Sequence, residues 1–427
     1  MPPVTRPHVD RVVIIGGGIV GLTTAHTLLK RGMEVVVLDA GPDRVTASRG
    51  NAGQIAPGHP PIPSPAIPPQ ALHMLLDRRS PLFIPPRPSL PLARWLLSFR
   101  LACREHHYRN SMRVLGAMSR LSRECFETLA EDLGPDATLS GTGLTDFWRT
   151  AQGEREAEAE TAWMAQLGFE TTQLSGRELR TRDPAWDEAV RGAVIHESGM
   201  CVDPECLCEA LRGRISDLGG VLQHGHAATS MRRKEGLWRV TTRRGHSVEA
   251  GKLLLAAGAW SGPLARQLGV LIRMQPAKGY HLMLTMPRPP TMAGVLREAK
   301  IAVTPLGEQV RIAGTLELSG FNHRLDRSRL SQLRLGTAAF LPAAALARAG
   351  KPWCGLRPCT ASGLPVVGAA APNAWIATGH GMMGLTLATG TAAILAEDML
   401  GESTPDWAEV LAPQVSRGVS APRARGR

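Results

Sequence analysis

Residues 11–39 read RVVIIGGGIVGLTTAHTLLKRGMEVVVLD. Arg11 to Ile15 is a short apolar run of the kind that makes a buried strand. Gly16-Gly17-Gly18-Ile19-Val20-Gly21 follows at once, then a helical stretch from Leu22 to Arg31. A second apolar strand, Met33 to Leu38, ends on Asp39. Strand, glycine turn, helix, strand and acid in that order are what a dinucleotide site needs. Gly16 permits the tight turn, Gly18 lets the backbone approach a pyrophosphate, and Gly21 lets helix and strand pack closely. Ile19 and Val20, within the turn ahead of the helix whose N-terminus faces the phosphates, are candidate cofactor-binding residues. Asp39, about 20 residues on, can accept both ribose hydroxyls.

The whole chain has 427 residues, long enough for two domains with cores of their own. Its formal charge of +12 raises nucleic acid as a partner, but the pattern argues otherwise. Lys occurs only at 30, 234, 252, 278, 300 and 351, and Arg is scattered along the chain and into a tail, Arg417 to Arg427. No aromatic-interleaved basic motif accompanies it, so a solvated surface is expected and no nucleic-acid partner. The C-terminal tail, 406–427, is expected to be largely disordered. The 7 cysteines are an odd count beside a nucleotide fold, which points to a reducing, cytoplasmic compartment rather than a disulfide framework. Cys201, Cys206 and Cys208 lack a zinc spacing, so no metal site is expected. No signal-peptide pattern precedes the strand at Val12, and no apolar run reaches the length of a membrane span.

Beyond Asp39 lies a loop, Gly41 to Ser64, that contains Ser48-Arg49-Gly50-Asn51-Ala52-Gly53-Gln54. A proline-dense stretch from Pro57 to Pro91 should wrap over the surface, because proline blocks regular structure. Leu72-His73-Met74-Leu75-Leu76 and Trp95 to Leu101 are bordered by Arg78, Arg79, Arg87, Arg94, Arg100 and Arg104. This pattern fits a peripheral contact with the inner face of a membrane, and it also fits a packed helix with solvated ends. Gly220 to Leu222, Trp238 to Thr242 and Ser247 to Glu249 read as a small β meander. It leads to a buried strand, Lys252 to Ala257, that ends in Gly258-Ala259-Trp260. Ala257, Gly258 and Trp260 therefore sit where ligands bind, at the carboxyl edge of a parallel sheet.

A third turn of this kind follows the strand from Ala374 to Thr378: Gly379-His380-Gly381-Met382-Met383-Gly384, then a helix from Leu385 to Leu400. A second helix N-terminus suits another anionic centre, such as the N1–C2=O edge of a reduced flavin. NAD needs no such distant segment, whereas an FAD stretched across the sheet edge does.

With these segments in place the chain resembles the glutathione-reductase-type FAD fold, in its D-amino-acid-oxidase and glycine-oxidase branch. VVIIGGGIVGLTTAHTLLKRGMEVVVLD, LLLAAGAWS, and CGLRPCTASGLPVVG with ATGHGMMGLT carry the match. Residues 51–58 (NAGQIAPG), Lys278-Gly279-Tyr280, Gly314-Thr315-Leu316-Glu317 and Thr378-Gly379-His380-Gly381 are similar to the bacterial D-amino-acid dehydrogenase small-subunit family. The likeness runs from about Val12 to Leu400. It implies an α/β fold: a Rossmann-like FAD-binding domain from 1–60, 190–262 and 345–405. A second, α+β substrate domain on a mixed or antiparallel sheet would take 61–189 and 263–344.

The resemblance implies oxidation of a D-amino acid to an imine, which water hydrolyses to a 2-oxo acid and ammonia. Hydride passes to flavin N5, and electrons go on to a quinone or another carrier. Alternatives on the same scaffold are a D-hydroxyproline or other secondary-amine dehydrogenase and a glycine- or sarcosine-type oxidase. A different class is a non-catalytic flavin-binding subunit. The chemistry asks for a substrate α C–H at near-attack distance, a neutral amine and a clamped carboxylate. A bidentate Arg is the best clamp. The G-x-R-P motif of relatives corresponds to Gly355-Leu356-Arg357-Pro358, which makes Arg357 the carboxylate ligand. Ala302 stands where glycine oxidases carry Tyr, and Tyr280 is the candidate replacement unless it is packed in the sheet. His380 stabilises the reduced flavin, relays a proton, or caps its turn. Ser48, Asn51 and Gln54, with Ala52 and Gly53 between, would hydrogen-bond the flavin or its phosphates. No Cys or His stands where relatives attach flavin, so FAD is expected to be held non-covalently.

Overall fold

The computed structural model describes residues 9–41, 46–69, 80–85 and 89–414. A six-stranded sheet runs in the order Val366–Ala371, Ala374–Thr378, Lys252–Leu255, Arg11–Ile15, Glu34–Leu38, Val221–Gln223. Every neighbouring pair is parallel except the first. Such strands are buried on both faces, which is why they read as unbroken apolar runs. Alternation decides which side chain meets which layer. Val12, Ile14, Val35 and Val37 face a helical layer, where Leu22, Leu207, Leu211 and Leu395 meet them. Val13, Ile15, Val36 and Leu38 face the other way, onto a meander of Ala228–Lys234, Leu237–Thr242 and Ser247–Ala250 through Met231, Trp238 and Val240. The expected meander strand at Gly220 to Leu222 is thus corrected: Val221–Gln223 pairs parallel to Glu34–Leu38.

The second unit is a ten-stranded, mainly antiparallel sheet. Its long strand Met274–Thr285 pairs on one edge with Trp353–Thr360 and on the other with Gln309–Glu317. Beyond the latter come Ile301–Leu306, Gly294–Leu296, Leu144–Trp148, Gly192–His196 and Thr171–Ser175. Two segments expected in the first domain, Gly192–His196 and Trp353–Thr360, therefore belong to this sheet. The helix Glu105–Leu133 moves the opposite way. Its buried stripe, Val114, Met118, Phe126 and Leu129, joins the helical layer of the first sheet. There Ser122 donates to the Thr386 carbonyl at 2.5 Å and accepts from the Gly390 amide at 3.1 Å.

The tail is also ordered further than expected. Asp406–Leu411 forms a 3-10 turn, and Ala408 and Leu411 are buried in the first core. Residues 415–427 lie outside the described residues, as do Leu72 to Leu76, Arg78, Arg79 and Arg87. The helix Leu90–Ala102 buries Leu92, Trp95 and Phe99 against Ala277, Leu318 and Cys359, and leaves Leu90, Leu97 and Leu101 exposed. Among the described residues, no helix is long and apolar enough to cross a membrane.

Candidate active site

Three glycine turns stand side by side, because the strands that precede them are neighbours pointing the same way. They follow Arg11–Ile15, Lys252–Leu255 and Ala374–Thr378. The Gly16 amide donates to the Leu38 carbonyl at 2.9 Å, and the Thr378 hydroxyl donates to the Gly258 carbonyl at 2.9 Å. Gly16 has φ +116, and a Cβ there would collide with the Ala256 carbonyl. All three turns open onto one cavity of about 1940 Å³ between the two sheets. Sites for a single small ligand span roughly 300–1,000 Å³, so this cavity has room for a dinucleotide together with a substrate.

Of the residues expected at the first turn, Gly16, Gly18, Ile19, Val20 and Asp39 line the cavity. Gly21 does not; it packs against the Gly16 carbonyl, as its expected role in close packing requires. The helix Ile19–Lys30 has no acid in its first turn and no side-chain bond from its N-cap residue, Gly18, which leaves its positive end for an anion. The Ile19 amide donates to Ser48 Oγ at 2.9 Å, which leaves that hydroxyl's proton for a phosphate oxygen. Asp39 accepts from the Gly17 and Gly41 amides at 2.8 and 2.9 Å, which fixes its carboxylate at the strand end. These features fit the diphosphate and ribose of FAD.

Asn51, Ala52 and Gln54 line the cavity, and Gly53 does not. Asn51 and Gln54 differ from expectation, since their amide donors are engaged by protein. Asn51 Nδ2 donates to the Ser48 carbonyl at 2.8 Å, and its Oδ1 accepts from the Gly53 amide at 2.8 Å. Gln54 Nε2 donates to the Gly294 and Val303 carbonyls at 2.9 and 3.1 Å. These side chains shape the loop and tie it to the second sheet. Ala257, Gly258 and Trp260 line the cavity, as do His380, Gly381, Met382, Met383 and Gly384; Gly379 does not.

Arg357 reaches this cavity from the second sheet. A bridge between Cys359 and His380 and a 2.9 Å bond from the Gly381 amide to the Pro358 carbonyl bring its strand against the third turn. Its guanidinium lies across Gly279, where a Cβ would displace it, and Nη1 donates to the Thr315 carbonyl at 2.8 Å. Burial lowers its pKa from the ordinary arginine value, weakly opposed by Cys359. Among the described residues no carboxylate pairs with it, so its fork is open to one from a ligand. Gly279 is a site residue the sequence did not single out.

Tyr280 is corrected: it does not line the cavity. The pleat points it to the opposite face from Gly279. There its hydroxyl donates to Glu317 Oε2 at 2.7 Å, and Lys278 Nζ lies 3.1 Å from Glu317 Oε1. Burial, then the Glu317 carboxylate, push its pKa up. Tyr280→Phe should therefore leave kcat and KM unchanged and cost about 1 kcal/mol. Glu317→Ala should cost about 3–5 kcal/mol in denaturant unfolding, because it strands a buried Lys278 charge.

His380 is buried, and burial pushes it down to about 4, so its ring is neutral at neutral pH. Its Nε2 lies 2.9 Å from Thr391 Oγ1, whose single proton goes to the Leu387 carbonyl at 2.7 Å. Nε2 must then carry the hydrogen, and Nδ1 is left as an acceptor. Positive charge at this turn thus comes from backbone amides and not from the ring. His281 is also pushed down to about 4, by burial. Between the ordinary 6.5 and about 4, the unfolded chain binds protons that the native state excludes. Stability should therefore fall as pH falls through that window, by up to about 1.4 kcal/mol per unit for each histidine. His380→Asn should lose less melting temperature than the parent between about pH 7 and about pH 5.

This fold and cavity define a class. Residues 11–398 match the FAD dependent oxidoreductase family, and the chain belongs to it. It is an FAD-dependent oxidoreductase. Within the class its sequence is similar to proteins named D-amino acid dehydrogenase. The one from Methylobacterium nodulans is 30% identical over 407 residues, 92% of this chain and 96% of that protein. The one from Methylobacterium radiotolerans is 30% identical over 406 residues, with the same coverage of both chains. Among solved structures, glycine oxidase from Geobacillus kaustophilus superposes with a TM-score of 0.74 at 21% identity, covering 96% of this chain and 100% of that one. Iminodiacetate oxidase from Chelativorans gives 0.72 at 20% identity, covering 94% and 99%. These two likenesses speak for the fold.

Proposed function

We propose that the chain oxidises D-amino acids to 2-oxo acids and ammonia, with FAD held non-covalently and electrons passed to a quinone or another carrier. The observation that supports this most is Arg357, a cation with no acidic partner among the described residues, on the cavity that the three glycine turns share. FAD, when bound, supplies the acceptor for the substrate's α hydride. Arg357 holds the substrate carboxylate by a bidentate pair and so fixes the α carbon. With the Gly381 amide given to the Pro358 carbonyl and the Met383 amide to the His380 carbonyl, the Met382 and Gly384 amides of the turn at 379–384 would face the cofactor's anionic edge. Neutral His380 offers Nδ1 as a proton acceptor. The helix Ile19–Lys30 holds the diphosphate, and Asp39 the ribose. The substrate names of the dehydrogenase relatives favour the same reaction.

A carrier dissolved in a membrane would explain the helix Leu90–Ala102. It carries Leu90, Leu97 and Leu101 outward beside exposed Arg94, Arg100 and Arg104, which suits peripheral contact with an anionic inner-membrane face. Assays of the purified yellow protein with a dye acceptor, on D- and L-enantiomers in turn, test the reaction. D-selective turnover is expected, and stoichiometric peroxide in air would instead mark an oxidase.

A further inference from the structure

The cavity continues past Arg357 along the face of the ten-stranded sheet. Arg357 reaches the Thr315 carbonyl on Gln309–Glu317. The next strands are Ile301–Leu306, Gly294–Leu296 and Leu144–Trp148. At about 4.8 Å per strand, the last two lie roughly 10–14 Å further on. Ala313, Ala302, Val295 and Asp146 stand in direct cross-strand register over this span, and all four line the cavity. Small side chains therefore floor a channel that ends at a carboxylate. Ala302, with a single methyl at this point, keeps it open.

The end of the channel is a charged group that the chemistry at Arg357 does not use. Arg297 Nη1 lies 2.5 Å from Asp146 Oδ2 and 2.7 Å from Glu160 Oε2. His196 Nε2 is 3.6 Å from the same Asp146 oxygen. The Arg297 side chain is only 10% exposed, Asp146 15% and Glu160 21%. Burial lowers the His196 pKa, but its hydrogen bond to Asp146 and the Asp146 and Glu160 charges outweigh this and raise it, so Arg297 and His196 together face two sequestered carboxylates. Asp146 Oδ1 and Glu160 Oε1 accept no bond from any described residue. Glu156 and Glu298 line the same end and Lys300 only partly offsets them. Trp163, three residues after Glu160 on one helix, adds an aromatic face. Asp146, Glu156, Glu160 and Glu298 together outnumber Arg297, His196 and Lys300 around this end of the cavity, which favours one further cation there.

We propose that this arm binds the cationic end of a substrate side chain, an ammonium or guanidinium, so that the enzyme prefers basic D-amino acids. The proposal rests on the reading of Arg357 above, which clamps the other end. A substrate of lysine or arginine length, with an ion-pair contact of about 3 Å at each end, is long enough to reach from Arg357 to this group.

The holoenzyme is assayed with a dye acceptor on D-arginine, D-lysine, D-alanine and D-glutamate. The basic substrates should exceed D-alanine in kcat/KM by about 10-fold or more, with D-glutamate lowest. Glu160→Gln should lower the ratio of D-arginine to D-alanine by about 10- to 100-fold. Ala302→Phe, which blocks the channel and leaves the carboxylates in place, should lower the same ratio. D-alanine oxidised as well as or better than D-arginine overturns the proposal, as does an unchanged ratio in both variants. Oxidation of neither overturns the underlying reading together with it.

Discussion

Arg357→Ala should raise KM for D-amino acids by about 10²- to 10³-fold, the loss of a bidentate charge-assisted pair worth about 3–4 kcal/mol. The change should fall mainly on KM, because the clamp acts in ground and transition states alike. FAD content should survive, since among the described residues the side chain bonds the Thr315 carbonyl alone and overlies Gly279. Arg357→Lys keeps the charge and loses the fork, so it should recover only part of the affinity. Steady-state kinetics with visible spectra of each variant separate lost clamp from lost cofactor. Unchanged KM in Arg357→Ala would remove Arg357 from the site.

Gly21→Val should abolish FAD binding. A Cβ at Gly21 would meet the Gly16 carbonyl, which has nowhere to retreat. Gly16 sits at φ +116, and its amide is held by the Leu38 carbonyl at 2.9 Å. Helix and strand must separate, at a cost above about 4 kcal/mol, and the helix N-terminus leaves the diphosphate. The expected product is colourless and melts well below the parent, or fails to accumulate. A yellow Gly21→Val protein of parental melting temperature would contradict the turn's assignment.

The features legible in the sequence were those made by short contiguous segments. Gly16 to Gly21 with Asp39, Ala257 with Gly258, and the turn 379–384 each combine strand, turn and helix locally, so adjacency in space followed from one parallel sheet. What depended on sheet register was not legible. The family-like segment Lys278-Gly279-Tyr280 pointed to the tyrosine, yet the pleat gives the cavity to Gly279 and sends Tyr280 to Glu317. Gly192–His196 and Trp353–Thr360 were assigned to the wrong unit, because a strand's own residues do not name its partner. The charged end of the channel had no motif: Arg297 meets Asp146 and Glu160 across 151 and 137 positions. Asn51 and Gln54, expected to bond the flavin, line the cavity, but their amide hydrogen bonds go to protein groups that only the fold brings within reach.

The central claim is that Arg357 and the three glycine turns form one catalytic cavity for a D-amino acid. Anaerobic titration of the purified yellow protein, followed by its visible flavin absorbance, tests it most directly. A D-amino acid should bleach the flavin stoichiometrically, its L-enantiomer should leave it oxidised, and Arg357→Ala should need far more substrate for the same bleaching. Flavin that stays oxidised with every D-amino acid, or bleaches equally with either enantiomer, would contradict the account.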